Sequence, residues 1–321
     1  MSKNLLLIIN PIAGKRHGVD YQPKVVKKFK EADYNVQVRY TEIDKNAYYV
    51  TKQYGRGNDI IVCCGGDGTL KETICGVMDL GLDAKIGYIP CGTTNDFAHS
   101  LNIPTDVDDA VETIIEGETV AVDIGDFNGQ EQFIYVSCFG NFCDVSYKAK
   151  QSLKNKVGRM AYYWETAKEV HKIKGFKAKV ECDDGEVIEG KFFYGGVSNS
   201  YSVAGFPVLK KSGVEFDDGY HELALIRMPK NPVQLISILN AMFVTRDVIN
   251  NEYLVVKKGK NFKFTFENEV NWTLDGENGG NHSFAEIKTY ENAVASGDKN
   301  VYFIDGETLL GKEDWFACTV D

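Results

Sequence analysis

No two cysteines in this chain are spaced as Cys-x-x-Cys, and only five histidines accompany its eight cysteines. With thiols at 63, 64, 75, 91, 138, 143, 182 and 318, the spacing assembles neither a zinc site nor a redox motif. Eight in 321 residues is far below the density of a disulfide scaffold, so reduced thiols are expected. Long apolar runs are also missing. Leu5–Ile9 is too short for a secretory signal, and Asn231–Thr245 falls short of the ~20 residues that a membrane span needs. A soluble, cytoplasmic chain is the expectation. Prolines number seven, with no Gly-x-y period, which excludes collagen. What is present, 43% hydrophobic, 26% charged and 12% aromatic residues, is enough for a large core and, at this length, two domains. Acids outnumber bases 46 to 36, a net charge of −10, which argues against nucleic acid as the partner.

The first third alternates strand and helix signals. Strands are expected at Lys3–Ile9, Asn35–Tyr40, Asp59–Cys64 and Lys85–Ile89, with helices near Gln22–Ala32, Asn46–Tyr54 and from about Leu70. Strands separated by helices of this length imply parallel β-α-β units. After about Val120 the period changes to two. Val120–Phe127, Gln132–Phe139, Phe176–Cys182, Val187–Val197, Tyr220–Arg227 and Asn261–Glu267 read as strands divided by Asp-Gly and Gly-Gly turns. Helices are expected near 158–172 and 232–243. The fold class is therefore an α/β N-terminal domain with a parallel sheet, followed by a mostly antiparallel β-rich domain.

Gly65-Gly66-Asp67-Gly68-Thr69 follows a strand and opens a helix. At such a junction the first backbone N–H groups lack intrahelical partners and the dipole favours an anion. Glycines let the chain turn and let a phosphate approach the backbone. The run is neither a Walker A sequence nor a GxGxxG fingerprint. Asn10-Pro11-Ile12-Ala13-Gly14, Thr41 and the segment from Pro90 to Ala98, with Thr93, Asn95 and Asp96, follow the other three strands. In an open parallel sheet these loops share the carboxyl edge, where ligands bind.

Asn-Pro-x-x-Gly-Lys (10–15), Gly-Gly-Asp-Gly-Thr-Leu-x-Glu (65–72) and Pro-x-Gly-Thr-x-Asn-Asp-Phe-Ala (90–98) together resemble the diacylglycerol kinase catalytic-domain family of soluble lipid kinases. Sphingosine kinases belong to the same superfamily, and NAD kinases share a related glycine turn. Asn-Asp-Phe-Ala is the discriminating element. Gly205-Phe206, Asp217-Asp218-Gly219-Tyr220, Asp275-Gly276-Glu277 and Gly279-Gly280 extend the resemblance over roughly residues 4–290. It implies an ATP-binding α/β domain over 1–125, to which residues 300–321 return, and a lipid-substrate β-sandwich over 126–299.

The resemblance further implies that Asn10, Pro11, Ile12, Ala13, Gly14, Thr41, Gly65, Gly66, Asp67, Gly68, Thr69, Leu70, Glu72, Thr93, Asn95 and Asp96 bind ATP. Glu277 matches the family's general base, with Asp67 as its rival, and Asp218 with oxygens of Glu215 and Tyr220 matches a Mg²⁺ site. The implied reaction is phosphorylation of diacylglycerol to phosphatidic acid. The alternatives are a sphingoid-base or other lipid-alcohol kinase, an NAD kinase, or an inactive nucleotide-binding regulator. A homodimer is left open. Three departures stand out: Ala13 replaces a frequent Ser, His99 replaces the Arg after Asn-Asp-Phe-Ala, and Pro207–Phe216 lacks the family's Pro-x-Ala.

A soluble kinase acting on a lipid must visit a bilayer. Residues 148–179 hold ten bases (Lys148, Lys150, Lys154, Lys156, Arg159, Lys168, Lys172, Lys174, Lys177 and Lys179) against Glu165 and Glu169, a charge of +8. Outside the segment 44 acids face 26 bases, or −18. Peripheral contact of this segment with an anionic membrane is the expectation.

Overall fold

The computed structural model describes residues 2–14, 17–93, 95, 97–98, 101–117, 119–141, 174–199, 218–241, 251–290 and 302–304. The chain divides into two units, Met1–Val122 with Asn292–Asp321, and Asp123–Glu291.

In the first unit, β1 (Lys3–Ile9), α1 (His17–Glu31), β2 (Tyr34–Tyr40), α2 (Ala47–Tyr54), β3 (Ile60–Gly65), α3 (Asp67–Leu80), β4 (Lys85–Pro90), α4 (Val107–Glu116) and β5 (Thr119–Ala121) follow one another. Strands β2-β1-β3-β4 pair in parallel in that order. A short strand from the chain's end, Tyr302–Ile304, lies parallel to β4 and antiparallel to β5. β1 and β3 are apolar on both faces, as internal parallel strands must be. Val25 and Phe29 of α1 and Val107, Ala110, Val111 and Ile114 of α4 pack with Leu5, Leu7, Ile9, Val62 and Cys64. Alternation turns Cys63 the other way, to Thr73 of α3.

Two boundaries differ from the sequence expectation. α1 begins at His17 rather than near Gln22, and α3 begins at Asp67 rather than Leu70. The second difference matters: the glycine turn is itself the first turn of the helix. α4 has no counterpart among the expectations, although its signals are present. Asp106 accepts the N–H groups of Asp108 (2.8 Å) and Asp109 (3.3 Å), and the buried residues fall at i, i+3, i+4 and i+7.

The second unit contains β6 (Ile124–Phe127), β7 (Glu131–Phe133), β8 (Val136–Gly140), β9 (Phe176–Cys182), β10 (Val187–Ser198), β11 (His221–Arg227), α5 (Pro232–Asn240), β12 (Leu254–Gly259), β13 (Asn261–Leu274) and β14 (Glu277–Tyr290). Every pairing among them is antiparallel, in the order β12-β11-β10-β8-β13-β14-β6-β7. β9 and β8 both bridge β10 and β13, each at a different level. The expected alternation along β13 is realised. Phe262, Phe264 and Phe266 enter a core with Phe139, Phe192 and Trp272, while Lys263, Thr265 and Glu267 face out.

Two expected single strands are each broken in two. Val120–Phe127 divides at Val122-Asp123, and Gln132–Phe139 divides at Ile134-Tyr135, where the Asp275 carboxylate takes the backbone N–H groups that a continuous ladder would use. The helix expected near 232–243 is α5, capped by Asn231 and burying Leu235 and Ile238. That expected near 158–172 lies outside the described residues.

Candidate functional site

The carboxyl edge of the first unit's sheet brings three of the four expected loops into direct contact. Asn10 donates its backbone N–H to the Cys64 carbonyl (2.9 Å) and its side-chain amide to Thr69 Oγ1 (2.9 Å). Its Oδ1 accepts the Ile12 N–H at 3.0 Å, which closes the 10–14 turn. Cys91 N–H donates to the Gly65 carbonyl at 2.7 Å. The Thr41 N–H donates to the Ile9 carbonyl at 3.0 Å, which sets the fourth loop beside the first.

Glycine is needed here for space. A Cβ on Gly92 would stand 2.7 Å from Gly66 Cα, and one on Gly14, at φ 52°, would stand 2.2 Å from the Cys91 carbonyl oxygen. The backbones of the three loops therefore touch, with no room for a side chain between them.

Gly66 is the N-cap of α3 and offers no side chain to the first turn. The first intrahelical bond runs from the Leu70 N–H to the Gly66 carbonyl (3.1 Å), so the N–H groups of Gly68 and Thr69 lie ahead of the intrahelical ladder. Asp67 Oδ1 accepts the Phe97 N–H at 3.3 Å, and the Tyr88 hydroxyl lies 3.5 Å from it. Burial, and then the Asp67 charge, push the Tyr88 phenol well above its ordinary range, so Tyr88 is a fixed proton donor. Asn95 is buried at φ 52° and donates its amide to the Gly92 carbonyl (3.2 Å). Pro11 is half-buried, Ala13 buried, and Ile12 and Thr93 exposed. Asp96 and His99 lie outside the described residues.

Glu72 reaches the start of α2. Its Oε1 accepts the Asn46 amide (3.1 Å) and its Oε2 the Ala47 N–H (3.0 Å), so both oxygens hold the start of α2.

In the second unit, Asp275 and Gly276, at φ 51° and 85°, form the two-residue turn between β13 and β14. The Asp275 carboxylate is buried and accepts the N–H groups of Ile134 (2.8 Å), Tyr135 (3.0 Å) and Val136 (3.1 Å). Asp275 is thus a structural residue, and it delivers Glu277 to an exposed position at the start of β14.

Asp218 pairs through Oδ2 with the Lys258 ammonium and accepts the Tyr220 N–H at Oδ1 (3.0 Å). Nearby, buried Asp123 accepts the Gly219 N–H at 2.6 Å. Burial, with smaller contributions from Asp218 and Asp123, raises Glu222 to about 8 against the opposing pull of Lys258. Among the described residues no three His, Cys, Asp or Glu side chains are grouped to hold a metal ion. Glu215 lies outside them.

One contact was not foreseen in the sequence: Cys64 and Cys91 bring their sulfurs to 3.3 Å at the base of the glycine turn. Their separation of 27 residues carries no motif. The parallel register of β3 and β4, which sets Gly65 opposite Pro90, creates it.

A phosphate-suited helix start at the carboxyl edge of a parallel sheet is an arrangement fit to bind a nucleotide. Residues 4–127 match the diacylglycerol kinase catalytic domain family. The chain is 30% identical over 280 residues to diacylglycerol kinase of Bacillus subtilis (strain 168), covering 87% of this chain and 91% of that one. It is 32% identical over 283 residues to diacylglycerol kinase of Staphylococcus carnosus (strain TM300), covering 87% and 90%. A crystal structure of a diacylglycerol kinase from Bacillus anthracis str. Sterne has the same fold, with a TM-score of 0.72 at 21% identity over 96% of this chain and 98% of that one. The chain belongs to the diacylglycerol kinase family and is a lipid kinase.

Proposed function

We propose that this chain transfers the γ-phosphoryl group of Mg·ATP to the hydroxyl of diacylglycerol, giving phosphatidic acid. The observation that carries the reading is the start of α3 at Asp67, walled by the 10–14 and 90–95 loops, in a chain similar over most of its length to curated diacylglycerol kinases. In this reading the first unit is the ATP domain and the second the lipid domain. Asn10, Pro11, Ile12, Ala13, Gly14, Thr41, Gly65 to Leu70, Thr93, Asn95 and Asp96 surround the nucleotide. The N–H groups of Gly68 and Thr69 face its phosphates. Glu72 acts at one remove, by holding α2 in place.

The bond from the γ-phosphorus to the ADP oxygen breaks as the acceptor hydroxyl oxygen bonds to that phosphorus, and the hydroxyl proton passes to a carboxylate. Exposed Glu277 takes that proton, which requires the hydroxyl within about 2.6–3.2 Å. A second reading assigns the base to Asp67, favoured by its place in the first turn of α3. Glu277→Gln is expected to lower kcat at least about 100-fold at unchanged KM for ATP. An unchanged kcat, with Asp67→Asn inactive, moves the role to Asp67.

The reaction's own divalent ion enters with the triphosphate, as Mg·ATP. Asp218, with oxygens of Glu215 and Tyr220, would hold a second cation, which would take the place of the Lys258 ammonium that now pairs with its carboxylate. An ion there would supply fixed positive charge to the 218–220 turn. No helix among the described residues is long and apolar enough to cross a membrane. We place the protein in the cytoplasm, bound peripherally to anionic lipid.

Transfer of labelled phosphate from ATP to diacylglycerol, sphingosine, ceramide and NAD in mixed micelles tests the assignment. Diacylglycerol should be labelled, and a chelator of divalent ions should abolish the labelling. Tight ATP binding with no transfer to any lipid would sink it.

A further inference from the structure

Three of the loops assigned to the nucleotide meet at two thiols that the proposed chemistry does not use. Cys64 is the next-to-last residue of β3, beside Gly65, and Cys91 follows β4 directly. Cys64 is buried and Cys91 half-exposed, so a small oxidant can reach one member of the pair from solvent. Their sulfurs lie 3.3 Å apart, within hydrogen-bond reach. The neighbouring thiol of Cys63 points to the opposite face of the sheet, buried against Thr73.

We propose that Cys64 and Cys91 form an oxidisable dithiol, a modification site for hydrogen peroxide, whose disulfide shuts the nucleotide-binding loops. The inference rests on the assignment of these loops to ATP. Cys91 is the attacking thiol. It is the more exposed of the two, and its hydrogen bond with Cys64 holds it below the ordinary thiol range, while the same hydrogen bond and burial raise Cys64. The Cys91 thiolate attacks one peroxide oxygen; an S–O bond forms, the O–O bond breaks, and hydroxide leaves and takes up a proton as water. The Cys64 sulfur then attacks Cys91. An S–S bond forms, the S–O bond breaks, and the hydroxyl leaves as a second water with the Cys64 proton. Two thiols are oxidised as one peroxide is reduced, so atoms and electrons balance.

The disulfide changes the site because its surroundings have no slack. A bonded S–S distance is about 2.05 Å, so the sulfurs must approach by about 1.2 Å. Cys91 donates its N–H to Gly65 at 2.7 Å, and its carbonyl lies where a Gly14 Cβ would be, 2.2 Å away. Gly66 and Gly92 are in backbone contact one residue further along. Movement of Cys91 therefore displaces the 10–14 turn and the start of α3 together.

The test begins with fully reduced protein treated with hydrogen peroxide. Peptide mapping should find Cys64 linked to Cys91, with the link kept in Cys63→Ala and lost in Cys64→Ala. Binding of a fluorescent ATP analogue and lipid phosphorylation should fall at least about tenfold and return with dithiothreitol. Cys91→Ala, normalised to its own untreated activity, should not respond. Absence of the linked peptide overturns the inference, and so does a linked peptide with unaltered nucleotide binding. Failure of the untreated protein to phosphorylate any lipid overturns the kinase assignment instead, and the peptide map and nucleotide binding still decide the disulfide.

Discussion

Individual residues in this chain separate cleanly into those that hold loops and those free to act. Asp275 holds one. Its carboxylate is the acceptor for three buried N–H groups, each of which would otherwise lose its partner. Asp275→Ala should cost about 3 kcal/mol or more, read as a lower denaturant midpoint, and Asp275→Asn less, because one acceptor oxygen remains. Gly14 and Gly57 offer a matched comparison. Both have positive φ, 52° and 80°, but a Cβ on Gly57 meets nothing within 4 Å. Gly57→Ala should lose only about 1–2 kcal/mol of stability to backbone strain. Gly14→Ala must also displace the Cys91 carbonyl, and its KM for ATP should rise at least about tenfold in steady-state kinetics.

At the scale of elements, β11 carries two buried ionisable neighbours shifted in opposite directions. His221 meets Thr289 at 2.9 Å and the edge of Phe133, and burial pushes it down to about 3. Glu222, facing Lys258, Asp218 and Asp123, rises to about 8. Between its ordinary value near 6.5 and about 3, the unfolded chain binds a proton that native His221 refuses, so stability falls as pH drops through that window. Between its ordinary value near 4.5 and about 8, native Glu222 keeps a proton that the unfolded chain releases, so stability falls as pH rises. The two slopes, each up to about 1.4 kcal/mol per pH unit, cancel between 4.5 and 6.5. Denaturation across pH should show that plateau. Glu222→Gln should remove the alkaline decline, and His221→Leu the acid one.

Periodicity made most of these elements legible, because internal parallel strands are apolar throughout and β13 alternates. Other features were not legible, each for its own physical reason. The starts of α1 and α3 were misplaced because loop-forming glycines can also occupy a first helical turn. Glu72 reads as part of a phosphate motif, and its bonds to Asn46 and Ala47 at the start of α2 are contacts only the packing of two helices creates. Cys64 and Cys91 meet through strand register, which no linear spacing records.

For the whole molecule, the net charge of −10 divides unevenly, and the described part of the basic segment qualifies it. Lys177 pairs with Glu267 at 2.8 Å, and Lys179 pairs with Glu181. Exposed pairs of this kind contribute little to stability but lower the charge that a bilayer meets. Lipid attraction should therefore come from the remaining bases. Replacing Lys148, Lys150, Lys154 and Lys156 with Glu should weaken binding to anionic vesicles at low salt at least about tenfold, measured by co-sedimentation. Charge reversal at Lys177 and Lys179 should matter less, and unchanged binding in the fourfold variant rejects a membrane role for the segment. The return of Tyr302–Ile304 to lie between β4 and β5 bears on how the protein is made. The ribosome releases β5 long before that strand exists, a delay of roughly 10–40 s at roughly 5–20 residues per second. Through that interval the intervening unit, continuous in sequence, emerges and begins to fold, while the sheet that began the chain waits for the Tyr302–Ile304 strand to be synthesised.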